Sequence, residues 1–132
     1  ASVVENGDFS IFPGVERNLT VLTGPGFDLV GEGLHLPARP LIPVAFAGDV
    51  AIRAEAVTAP SDDFNVMTDR ALPRPEVAVV TGTAQIPEGG TLAAYALAPS
   101  TVNGRQLAPQ DLILTEDALS VSGQVLVVRL LG

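Results

Sequence analysis

The chain has 132 residues, 47% apolar and only 17% charged, enough to bury a real core and too hydrophobic for a disordered segment. Fifteen acidic residues against seven arginines and no lysine leave a net charge of −8, which excludes a nucleic-acid binder working through a basic face. No cysteine is present, so disulfide and thiolate chemistry are excluded as well. A small anion held by one or two arginines stays compatible with this balance. No apolar run approaches the ~20 residues of a membrane-spanning helix. Residues 1–6 carry neither the basic nor the apolar part of a signal peptide. The expectation is a cytoplasmic protein bound to neither membrane nor nucleic acid.

Thirteen glycines and eleven prolines recur every few residues and leave little room for a helix of three turns. Between them the sequence predicts strands over residues 18–22, 27–30, 34–36, 41–46, 50–57, 77–83, 92–97, 112–115 and 125–131. Many short strands at this spacing point to an all-β sandwich or barrel. Gly31-Glu32-Gly33, Glu88-Gly89-Gly90 and Asn103-Gly104 supply turn residues that tolerate positive φ. A faint repeat at an offset of 73 sets Gly31 on Gly104 and Leu34 on Leu107. Prolines 73 and 75 place a boundary near residue 70, giving units over residues 1–70 and 71–132, packed as one domain. The apolar stretch 125–131 reads as an edge strand that would pair with a second subunit as readily as with its own sheet, which leaves a homodimer and a monomer both open.

Candidate chemistry is sparse. His35 is the only histidine, too few imidazoles for a metal centre or a serine nucleophile, so no metal and no cofactor are expected. Glycine-rich stretches such as Gly24-Pro25-Gly26 lack the strand–loop–helix setting of a phosphate cradle. Arg17 shares a strand face with Leu19 and Val21 and so points inward. An inward guanidinium needs Asp49, Asp63 or an anionic ligand as partner. Arg53 and Glu55 alternate with Ile52 and Ala54, the pattern of a solvated outer face. The polar stretch 61–70, SDDFNVMTDR, reads on spacing alone as residues capping a turn at the boundary. If it is extended, Phe64 and Val66 share the face that anchors it in the core. Asp63, Asn65 and Met67 then line the other, a mixed wall suited to a small polar ligand.

Three stretches resemble a known family. Residues 9–17, FSIFPGVER, are similar to the FSxFPGxDR signature of the HutD/Ves family; residues 46–49, FAGD, to its FxGD element; and residues 63–67, DFNVM, to its DFNxM signature. The resemblance covers essentially the whole chain and implies a cupin-like (RmlC-like) β-barrel fold with two barrel units. It further implies a cytoplasmic bacterial protein, HutD-like with a role in governing histidine utilisation through a small metabolite, or Ves-like and linked to stress. No catalytic activity attaches to it. By position the motifs fall on Phe9, Ser10, Phe12, Pro13, Gly14, Arg17, Phe46, Gly48, Asp49, Asp63, Phe64, Asn65 and Met67. Glu16 stands where the family usually has Asp, Ala59 where Gly is common, and Asp69 where a basic residue is common. The family's upstream element, similar to WxNGGGxTxE, has no counterpart in these residues.

The expected function is therefore binding of a small polar or anionic metabolite, of the urocanate or formylglutamate class, in a metal-free pocket of Phe12, Arg17, Asp49, Asp63, Asn65 and Met67. Arg17 would pair with a ligand carboxylate, Asn65 would orient it, and Asp49 or Asp63 would hold Arg17 or accept a ligand N–H. Two alternatives stand beside this. One is a metal-free isomerase or lyase moving protons with carboxylates; the other is a structural or interaction module without a ligand.

Overall fold

The structure, a computed structural model describing residues 1–132, is all-β: fourteen strands and no helix, hence none long and apolar enough to cross a membrane. The chain divides into two compact units, Ala1–Ala71 and Leu72–Gly132. The first holds β1 (Ser2–Val3), β2 (Gly7–Asp8), β3 (Val15–Thr23), β4 (Phe27–Gly31), β5 (Leu34–Ala38), β6 (Val44–Ala47), β7 (Ile52–Glu55) and β8 (Ser61–Asp69). The second holds β9 (Glu76–Ile86), β10 (Thr91–Ala96), β11 (Ser100–Val102), β12 (Arg105–Leu107), β13 (Leu112–Thr115) and β14 (Leu119–Leu130).

In the first unit two antiparallel sheets, ordered β1-β8-β3-β6 and β2-β7-β4-β5, enclose a core of Leu19, Val21, Phe27, Leu29, Phe46, Ile52 and Ala54. Alternation supplies the inner members: Phe27 and Leu29 from β4, Ile52 and Ala54 from β7. Each large apolar side chain buried here contributes about 1.5–3 kcal/mol. Arg53 and Glu55 face solvent and pair with each other at 3.0 Å, as their spacing predicts. In β3 alternation is lost, since Glu16, Asn18 and Thr20 on the opposite face are buried as well.

The second unit repeats the same connectivity. Its sheet runs β12-β11-β14-β10-β13, with β9 along β14. The hairpin β4–β5 beside β7 corresponds to β11–β12 beside the first part of β14. The group β6-β3-β8 corresponds to β13, β10 and the second part of β14. One strand thus does in the second unit what β7 and β8 do in the first. It turns the corner at Gly123 (φ 137), which sits opposite Gly82 (φ 92). A Cβ on Gly123 would fall 2.3 Å from Ser100 Oγ, so the corner excludes side chains. Leu92, Ala94, Val102, Leu119, Val121, Val125 and Val127 form this unit's core.

Several expectations change. Stretch 61–70 is not a capped turn: Ser61–Asp69 is a nine-residue strand, because Asp62 and Asn65 find cross-strand partners in Thr23 and Arg17 and its main chain pairs along β3, with one irregularity between Val21 and Thr23. Phe64 and Val66 are opposite Thr20 and Asn18, on the face away from the core cluster, so they do not anchor the strand there. Residues 125–131 are not an edge: β14 is paired on both sides. The predicted strand 41–46 starts only at Val44, since Pro40 and Pro43 withhold N–H donors and Leu41 adopts φ 64. The repeat is also re-registered. Gly31 pairs with Leu34 and Val102 with Arg105, so Gly33 is the counterpart of Gly104, and Leu36 that of Leu107. Both of these glycines have positive φ in two-residue turns.

Candidate functional site

Directly opposed residues of antiparallel strands share a face. Across β3, Arg17 opposes Phe46 on β6 and Met67 on β8; Leu19 opposes Asn65, and Val21 opposes Asp63. One inner face therefore carries Arg17, Asn65, Asp63 and Met67 together. Asn65 Oδ1 accepts a hydrogen bond from Arg17 Nη2 at 2.9 Å, and Asn65 Nδ2 donates to Asp63 Oδ1 at 2.5 Å. Asn65 thus relays the arginine to the carboxylate.

Three aromatic rings surround the guanidinium. Its carbon lies 5.4 Å from the centroid of Phe9, 5.3 Å from Phe12 and 5.1 Å from Phe46, each within cation–π range. Arg17 is only 5% exposed and Asp63 likewise 5%. Five N–H donors serve this guanidinium, yet one protein hydrogen bond engages it, and buried Nε has no partner. Burial lowers the Arg17 pKa, opposed by the charge of Asp63. Burial raises that of Asp63; the Asn65 amide hydrogen bond and the charge of Arg17 pull against it.

The loop bearing Phe12 is held by backbone contacts. Phe12 N–H donates to Gly48 C=O at 2.8 Å and Gly48 N–H to Val15 C=O at 2.7 Å. A Cβ on Gly48 would sit 2.6 Å from Phe12 O and 2.9 Å from Val15 O. Only glycine allows this approach, which seats Phe12 over Arg17. Asp49 has a different task from the one expected. Its carboxylate accepts from Gly14 N–H at 3.0 Å and from Arg70 at 2.8 and 3.1 Å. It fastens the loop and does not hold Arg17, because the turn at residues 47–49 directs it to the strand ends rather than the inner face.

Of the six expected pocket residues, five converge: Phe12, Arg17, Asp63, Asn65 and Met67. Phe12 (36% exposed) and Met67 (44% exposed) are the accessible members. Phe9 and Phe46 were not among the expected ligand contacts, although both lie in the motifs. Their clustering with Phe12 depends on the β3–β6 register and on the path of residues 9–14. Asp62 is bound by Ser2 and Thr23 hydroxyls at the exposed strand end. His35, exposed, pairs with Asp28 at 3.0 Å, and no three His, Cys, Asp or Glu side chains gather as a metal site.

Comparison with known proteins identifies the family and the fold. The HutD family model matches residues 1–127. The structure of HutD from Pseudomonas fluorescens SBW25 (formate condition) superposes with a TM-score of 0.88 at 27% identity, covering 98% of this chain and 75% of that one. PA5104 from Pseudomonas aeruginosa PAO1, a conserved protein of unknown function, gives 0.87 at 25% identity, with 99% and 77% covered. YhaK from Escherichia coli shares the fold, with a TM-score of 0.66 at 9% identity over 100% of this chain and 83% of that one. The fold is cupin-like and all-β, and the chain belongs to the HutD family.

Proposed function

We propose that this HutD-family protein binds a small metabolite bearing a carboxylate, with Arg17 as the counter-charge. What carries this reading is a buried arginine caged by three phenylalanines and holding only one protein hydrogen bond. A desolvated guanidinium with free donors is costly unless something anionic completes it. Within a chain of net charge −8, a single arginine among aromatic rings in low dielectric offers strong local attraction for one carboxylate. Asn65 turns its carbonyl to Arg17 and its amide to Asp63, which fixes the fork. Phe12 and Met67, the accessible pair, form the rim past which a planar unsaturated acid would stack. Urocanate and formylglutamate are the test ligands, and a role in sensing such acids to regulate histidine utilisation is the biological form of the proposal.

Titration calorimetry with urocanate, formylglutamate and histidine tests it. One-to-one binding of an acid, lost in Arg17→Gln while the variant remains folded by circular dichroism, is the expected result. No heat with any of them from folded wild-type protein would sink the reading. One observation favours a second, enzymatic reading, in which Asp63, its carboxyl raised by burial, takes a proton from the ligand. Solvent deuterium entering the bound acid, absent in Asp63→Asn, is what that reading requires.

A further inference from the structure

We propose that the free edge of β13 is a docking strand for an extended, basic segment of a partner protein. β13 closes its sheet and pairs only with β10, so one row of its main-chain donors and acceptors is open. Ile113 packs against the core while Leu112 and Leu114 stand 51% and 65% exposed. Such an edge is normally blunted by proline, lysine or shortness. β5 carries Pro37 and β12 has only three residues including Arg105, whereas β9 exposes only small or polar side chains. No proline and no charged residue lies within Leu112–Thr115.

Charge identifies the occupant. Asp111, Glu116 and Asp117, all exposed, bracket the strand, and no arginine, lysine or histidine occurs between residues 106 and 128. A second copy of this chain would pair badly. Antiparallel self-pairing brings Asp111 close to Glu116 or Asp117 of the other copy, and parallel pairing sets like on like. A segment with apolar residues at alternate positions and Lys or Arg at both ends fits instead. Its main chain completes the ladder, its apolar side chains cover Leu112 and Leu114, and its ends meet the carboxylates.

Fluorescence anisotropy with the labelled peptide RKVTVTVKR and its acidic-flanked counterpart EEVTVTVEE tests this on the whole chain. The basic peptide should bind, weaken with added salt, and weaken by about tenfold or more in Leu114→Lys and in the Glu116→Lys/Asp117→Lys pair. All three positions are exposed, so these variants keep the fold. Hydrogen exchange on the complex should show new protection confined to the amides of residues 112–115. No binding of the basic peptide, equal binding of the acidic one, indifference to Leu114→Lys, protection elsewhere, or dimerisation abolished by Leu114→Lys would each overturn the proposal.

Discussion

Arg17 on β3 and Arg129 on β14 each point to the core-facing side of a sheet, in two units of the same connectivity. Arg17 shares the core-facing side of β3 with Leu19, and Arg129 lies opposite Leu92 on the core-facing side of its own sheet. Their surroundings differ. Arg129 donates to Gly89 C=O at 2.7 Å and Pro87 C=O at 2.9 Å, and its Nε meets Glu76 at 3.3 Å. Every nitrogen is engaged, and the side chain works as a clamp on the β9–β10 connection. Arg17 has one hydrogen bond, three rings and an unpartnered Nε. An arginine whose donors are consumed by the chain serves the fold; one left with free donors in a shaped, apolar cage is available to a ligand.

Removing each arginine is the most direct way to break this comparison. Arg17→Ala removes a positive charge near the buried Asp63 together with the side chain that fills the ring cage, and should cost about 3–5 kcal/mol in urea unfolding. Arg17→Met with Asp63→Leu should recover most of that loss while abolishing acid binding, since both charges leave the interior together. A double variant as unstable as Arg17→Ala would show that the cost lies in packing rather than charge.

Gly48→Ala comes next. The added Cβ collides with two backbone oxygens, at 2.6 and 2.9 Å, and should cost about 1–3 kcal/mol. It also lifts Phe12 from Arg17, so acid affinity should fall together with stability. Arg129→Ala, by contrast, frees carbonyls that water can reach and should cost about 1–2 kcal/mol, with ligand affinity unchanged. A loss of ligand affinity in Arg129→Ala would erase the distinction between the two arginines.

The smallest effect is the pH response of Asp63, whose folded pKa burial raises above the usual carboxylate value. A raised carboxyl contributes stability that is full below its unfolded value, about 3.9, and is lost as pH rises through the folded value. Asp63→Asn should flatten that part of the stability curve. Acid binding should tighten a few-fold, roughly, as pH falls from neutrality toward the folded value, because a neutral Asp63 no longer opposes the anion. Calorimetry against pH on wild type and Asp63→Asn reads both the sign and the size.

The β class was legible in the punctuation: glycine and proline spacing ruled out helices, and residues 112–115 are a strand as predicted. The inward direction of Arg17 followed from alternation with Leu19 and Val21. The length of β8 was not legible, because its carboxylates and amide resemble turn chemistry until β3 supplies their cross-strand partners. The same ambiguity reversed Phe64 and Val66: parity within a strand gives two faces, and only the neighbouring strand says which one meets the core. Asp49 was misassigned for a related reason, since a loop carboxylate has no parity and its partner Arg70 lies at the far end of another strand.

By itself, then, the amino-acid order determined an all-β chain, the inner face of β3 and the three motifs, because local sterics and alternation act over a few residues. Tertiary structure alone decided that those motifs meet at one guanidinium, that Asn65 rather than Asp49 receives it, and that Arg17 keeps an unpartnered Nε where each nitrogen of Arg129 is engaged. Those outcomes depend on strand register and on contacts between residues tens of positions apart, which no local pattern specifies.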